Sequence, residues 1–144
     1  MLDTLPLNVT HRSSIHLKDK SSTALTDEIA LARDCFAAEL RHGPAEIHAA
    51  CLLPHALYLL WSLDPADDPV DRLQRFTASF TKHSHARPDW SWPITAPLTP
   101  GFFDETLREF LEMPVAWGLC ERAEDWPYSS LRRASSNRHR HQSS

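Results

Sequence analysis

Apolar and polar residues along the chain alternate between two periods, and the switches between them mark the elements. Between Leu5 and Ser13, Leu7 and Val9 alternate with Asn8 and Thr10, a two-residue period that predicts a first strand leading into a Ser- and Lys-rich loop. From Thr26 the period becomes helical. Leu25, Ile29, Ala32, Phe36 and Leu40 fall on one stripe, Thr26 is placed to cap the start, Asp27 and Glu28 suit the positive helix end, and His42-Gly43-Pro44 stops it. Glu46 to Leu53 and Ala56 to Leu63 are apolar runs of strand length separated by Pro54-His55, which predicts two adjacent antiparallel strands at the sheet centre.

Asp68-Pro69 is a helix start, because proline is pre-set for the first helical position and the aspartate accepts orphan amide bonds. The helix that follows buries Val70, Leu73, Phe76 and Phe80 and is expected to turn Arg72, Arg75, Ser79 and Lys82 outward. Arg87 to Pro100 holds Trp90 and Trp92 among prolines and reads as extended or irregular. A short helix from Asp104 to Met113 presents Leu107, Phe110 and Leu111, with Pro114 expected to end it. The order strand, helix, strand, strand, helix, irregular strand, helix predicts an α+β fold: a ferredoxin-like antiparallel sheet with helices packed on one face.

Composition narrows the class. With 144 residues, 42% hydrophobic, 24% charged and a net charge of −4, the chain suits one ordinary domain. Three isolated glycines (Gly43, Gly101, Gly118) cannot build a phosphate loop or a dinucleotide fingerprint. The apolar stretch Ala49 to Trp61 is broken by Pro54-His55 and is too short for a membrane span, and the N-terminus has neither a basic start nor an apolar run, so a cytoplasmic protein is expected. Three widely spaced cysteines form neither a disulfide framework nor a zinc site, and read as small buried residues. After Asp125 there is no acid while Arg132, Arg133, Arg138 and Arg140 accumulate, so residues 135–144 read as a basic, disordered tail after a domain spanning residues 1–134.

Two stretches go further than class. Cys51-Leu52-Leu53-Pro54-His55-Ala56-Leu57-Tyr58-Leu59-Leu60 resembles the strand Met-Pro-Asn-His-x-His-Leu-Leu of the REP-associated tyrosine transposases. Pro114-Val115-Ala116-Trp117-Gly118-Leu119, continuing to Glu124-Asp125-Trp126-Pro127-Tyr128-Ser129-Ser130, is similar to that family's ending, and Gly101-Phe102-Phe103-Asp104 to its Gly-Phe-Tyr-Asp segment. The resemblance implies a single-tyrosine HUH transposase, which cuts and rejoins single-stranded DNA at imperfect hairpins. Two strand histidines hold a divalent metal, Mg or Mn, and a helix tyrosine attacks the polarised phosphate.

Carried over residue by residue, the resemblance puts Ala56 and Tyr58 where the family has its histidine pair and Glu109 where it has its nucleophile. His55 falls on the family's asparagine. It is the remaining metal candidate here, and equally a histidine in a strand turn. The segment between Asp104 and Pro114 is shorter than in typical members by about a dozen residues. The chain is therefore expected to bind DNA without cutting it, using Arg72, Arg75, Lys82, Arg87, Trp90, Arg132 and Arg133 on single-stranded or hairpin DNA, as a monomer or homodimer. Three alternatives stay open, a protein-interaction module built on exposed tryptophans, an inactive decayed copy, and an active enzyme using Tyr58.

Overall fold

The computed structural model describes residues 8–128. Four strands, β1 (Val9–His16), β2 (Ala45–Leu53), β3 (Ala56–Leu63) and β4 (Ile94–Pro97), form one antiparallel sheet in the order β2-β3-β1-β4. This is the ferredoxin-like order, so the expected fold class holds. The adjacent pair β2 and β3 forms as expected, but β2 is an edge strand and β1 takes the centre beside β3. A hairpin between consecutive strands fixes their pairing and leaves open which of them gains a second neighbour.

β1 continues past Ser13 to His16, where it pairs with Tyr58 through Ala56 of β3; Leu5 to Leu7 of the expected strand lie outside the described residues. The first expected helix is two helices, α1 (Ala24–Asp27) and α2 (Ile29–His42), with Thr23 rather than Thr26 at the start. The break falls at Glu28, whose carboxylate leaves the helix surface to accept hydrogen bonds from the Ser84 hydroxyl and the His85 amide (3.1 Å). Asp68 caps α3 (Pro69–His83) as its sequence suggests, accepting from the Val70 amide at 2.9 Å.

Pro114 does not end the last helix. α4 (Phe103–Ala116) runs past it and closes at Gly118, where Leu119 N–H donates to Pro114 O and Gly118 N–H to Val115 O, both at 2.9 Å. These are the two bonds of a Schellman cap, which needs the left-handed conformation that Gly118 adopts (φ 73°). The Pro-Val-x-x-Gly-Leu pattern is thus a helix end, with proline in the last turn and glycine just past it.

The sheet is covered on both faces, where helices on one face were expected. α2 and α3 pack on one, around Leu57, Leu59, Trp61, Leu63, Leu73, Phe76 and Phe80. α4 adds a second layer on the other, where Phe110 and Met113 meet Ala49, Cys51, Leu53, Ala56 and Leu60. Burial on both sides explains why β3 reads as a continuous apolar run rather than an alternation. Cys35 and Cys51 are buried as expected whereas Cys120 is only partly buried, and burial pushes the Cys51 thiol up to about 12. No described helix is long and apolar enough to cross a membrane.

Candidate functional site

Strand alternation decides what the α4 face presents. On β1 the residues on that face are Thr10, Arg12, Ser14 and His16, opposite Ser62, Leu60, Tyr58 and Ala56 of β3. A bulge in β2 between Ile47 and Ala49 turns His48 onto the same face. There its Nε2 lies 2.7 Å from Ser62 Oγ, which lies 2.7 Å from Thr10 Oγ1. At the other end of the face His16 Nε2 is hydrogen-bonded to the Tyr58 hydroxyl at 2.8 Å. Between them the Arg12 guanidinium ion-pairs with Glu109 of α4 and lies 5.7 Å from the centroid of the Phe110 ring.

The positions to which the resemblance assigns chemistry are thus brought to one face. Ala56 and Tyr58 lie on it from β3, and Glu109 reaches it from α4 through Arg12. The residues themselves do not fit a divalent-cation site. Ala56 has no donor atom, and the Tyr58 phenol is engaged by His16 and held protonated by burial, which raises its pKa. His55 is buried with its ring 4.5 Å from that of Trp117, and its Nε2 has no hydrogen-bond partner. Among the described residues, no group of three or more His, Cys, Asp or Glu converges as a metal cage. A site of that kind would need carboxylate or imidazole donors pointing at one spot.

The proposed DNA contacts fare differently. Arg72 is 1% exposed, not turned outward. Its guanidinium bonds Glu39 Oε1 (3.2 Å), Glu39 O (3.0 Å) and Gly43 O, pairs with Asp67 (3.3 Å), and lies over the Trp61 ring. The helical stripe cannot reveal this, because the groove that receives Arg72 is made by the end of α2. Arg75 is exposed yet tied to the same Glu39 carboxylate at 2.7 Å.

Trp90 is half-buried against Phe76 and Phe80 and donates to Thr81 Oγ1 at 2.8 Å, so it plugs the sheet edge and offers no open stacking face. Lys82 and Arg87 are exposed, but they belong to α3 and the loop beyond it, on the face opposite Tyr58. Arg132 and Arg133, like the tail 135–144, lie outside the described residues. Sequence reading missed Arg12 and His16, and did not place His48 on this face. The first two lay in or next to a strand whose face was not assigned, and the bulge that re-aims His48 leaves no sequence signal.

Three histidines sit below their ordinary pKa of 6.5. His11, His16 and His55 are each lowered first by desolvation, His16 also by His55 and Lys20. The folded chain therefore binds fewer protons than the unfolded chain, whose imidazoles keep the ordinary value. Stability is full above about pH 6.5 and falls as the pH drops through that value toward the lower folded-state values. The melting temperature is expected to fall between about pH 7.5 and 5.5, a window above the carboxylate titrations, and His16→Gln to flatten that fall. A melting temperature level across this window would overturn the assignment.

Fold and site together define a small ferredoxin-like domain whose sheet carries a polar strip along β1, closed on one side by α4. No protein-family model matches the chain. It is 24% identical over 131 residues to the REP-associated tyrosine transposase of Escherichia coli (strain K12), covering 83% of this chain and 74% of that one. It is 26% identical over 137 residues to a Haemophilus influenzae protein given the same family name, covering 83% and 78%. A solved structure of a REP-associated tyrosine transposase bound to a REP hairpin superposes with a TM-score of 0.80 at 23% identity, over 90% of this chain and 81% of that chain. The chain is similar in sequence to the REP-associated tyrosine transposases and shares the fold of the solved one.

Proposed function

We propose that this chain binds hairpin-forming single-stranded DNA in the cytoplasm and does not cut it through a tyrosine. One observation carries the reading. The likeness to the transposases runs through 83% of the chain, yet at the three positions where their chemistry would sit the chain has Ala56, a hydrogen-bonded Tyr58 and an ion-paired Glu109. What remains is a fold suited to binding, with a cation, Arg12, on the strip. A tyrosine nucleophile needs a polarised phosphate as well as a base; Tyr58 has the His16 imidazole beside it but sits half-buried beneath α4 with its pKa raised, and Ala56 leaves no metal ligand next to it.

The test is fluorescence anisotropy of a labelled imperfect hairpin with duplex competitor over a salt series. Saturable, hairpin-preferring binding that weakens steeply with salt is expected, because phosphate contacts release counterions. Incubation with Mg²⁺ or Mn²⁺ should give no covalent protein–DNA adduct, and Tyr58→Phe should change affinity by less than about threefold, the scale of one neutral hydrogen bond. An adduct abolished by Tyr58→Phe would overturn the loss of cleavage. Absence of binding by folded protein would overturn the DNA reading.

A second reading rests on Trp92 and Ile94, 68% and 62% exposed at the β4 edge. They suit an apolar protein partner, whose binding would be nearly independent of salt.

A further inference from the structure

Binding alone leaves a proton-transfer pair on the strip without a role. His16 and Tyr58 lie half-buried on the α4 face at the end of β1, with His16 Nε2 2.8 Å from the Tyr58 hydroxyl and the two rings edge-on at 5.1 Å. Each has a second position to offer. The phenol oxygen is donor and acceptor at once, and the imidazole has a second nitrogen, Nδ1, for which no described group is a partner. With the ring proton on Nε2 and donated to Tyr58, Nδ1 is a base and the Tyr58 O–H is a free acid. Desolvation, with the charges of His55 and Lys20, keeps the imidazole neutral at pH 7, and burial keeps the phenol protonated. Cations flank the pair. Arg12 is two residues along β1 from Ser14, which stands opposite Tyr58, about 7 Å at the rise of a strand, and it meets the same Phe110 ring as Tyr58. Its partner Glu109 is exposed, so a phosphate can replace that ion pair at little cost. Lys20, also exposed, extends its charge to His16 and His55 from the other end.

We infer that this site cleaves a single-stranded RNA segment by attack of the strand's own 2′-hydroxyl, with His16 as general base, Tyr58 as general acid and Arg12 holding the phosphate. The inference rests on the proposed hairpin binding and extends it to strands that carry 2′-hydroxyls. Two features select this chemistry. Base and acid lie side by side, as the attacking and leaving oxygens of one phosphodiester require. The nucleophile belongs to the substrate, so the chemistry suits a chain with Glu109 and Ala56 where a helix tyrosine and a metal ligand would stand. In the step, His16 Nδ1 takes the 2′-hydroxyl proton, the 2′-oxygen bonds to phosphorus, the P–O5′ bond breaks, and Tyr58 protonates the departing 5′-oxygen. The products are a 2′,3′-cyclic phosphate and a 5′-hydroxyl. The Nε2 proton then passes along the existing hydrogen bond to the phenolate, which leaves both side chains neutral with the imidazole in its other tautomer, and proton exchange with solvent restores the first. No water or oxidant is consumed. DNA lacks the 2′-hydroxyl and stays intact, in keeping with the binding proposed above.

The experiment uses the full chain and the labelled imperfect hairpin of the anisotropy test, with one ribonucleotide placed in turn at each unpaired position, in buffer containing EDTA. Cleavage is expected on the 3′ side of the ribonucleotide at one position, leaving a 2′,3′-cyclic phosphate that resists phosphatase until acid opens it, while the all-DNA hairpin stays whole. His16→Gln and Tyr58→Phe should each slow cleavage by about 100-fold or more with the hairpin still bound, the scale of one general acid or base. Methylation of that 2′-hydroxyl should block cleavage by the unaltered protein, a check that does not depend on how either variant folds. A hairpin that folded protein binds but cuts at no ribonucleotide would overturn this inference alone. So would cleavage that EDTA abolishes or that survives 2′-O-methylation, or a smaller loss of rate in either folded variant. Failure of folded protein to bind any hairpin overturns the binding proposal and this inference with it.

Discussion

Glu39→Ala is expected to cost about 3–5 kcal/mol of folding stability, a large share of what a domain this size possesses. Glu39 is 6% exposed, and its carboxylate serves both Arg72 and Arg75. Removing it strands the Arg72 guanidinium inside the fold with only the more exposed Asp67 to oppose its charge. Urea unfolding would show the midpoint fall with the slope unchanged. Glu39→Gln, which keeps an acceptor but no charge, should fall between wild type and Glu39→Ala. If Glu39→Ala melts within about 1 kcal/mol of wild type, the network is a solvated surface pair and not a buried clamp.

Phe110→Ala is expected to cost a similar amount, about 3–5 kcal/mol, and to loosen α4. The ring is 1% exposed, packs edge-on to Tyr58 with centroids 6.2 Å apart, and lies under the Arg12 guanidinium. Because α4 meets the sheet mainly at β2 and through this residue and Met113, truncation removes the contact that holds Glu109 beside Arg12. Hydrogen exchange should therefore rise in residues 103–116 ahead of the rest of the protein, while Phe110→Leu should cost less than about 1.5 kcal/mol. Uniform exchange across the fold in Phe110→Ala would show that α4 is not an independently held layer.

The elements themselves were written locally. The apolar stripe of α3 and its Asp68-Pro69 start, the β2-β3 hairpin around Pro54-His55, and the element order of a ferredoxin-like sheet all depend on residues within a few positions of one another. The resemblance to the transposases was also legible, because it lies in short contiguous motifs. One of them, Pro114 to Leu119, is a helix end whose bonds close within six residues. Pro114 stands in the last turn and does not end the helix ahead of it, because Phe110 and Met113 hold that turn on the sheet and Gly118 closes it.

What the sequence by itself determined is most of the elements and the fold class. Only the tertiary structure decided which side chains share a face. Arg72 was withdrawn into the core by a carboxylate 33 residues away, Trp90 was folded against α3, and Arg12, His16, His48 and Tyr58 were gathered beneath α4. The physical reason is that an element's period tells how its residues divide between two sides, while what each side meets is set by contacts distant in the chain. A single bulge, as at His48, reassigns a side chain at no visible cost in the pattern.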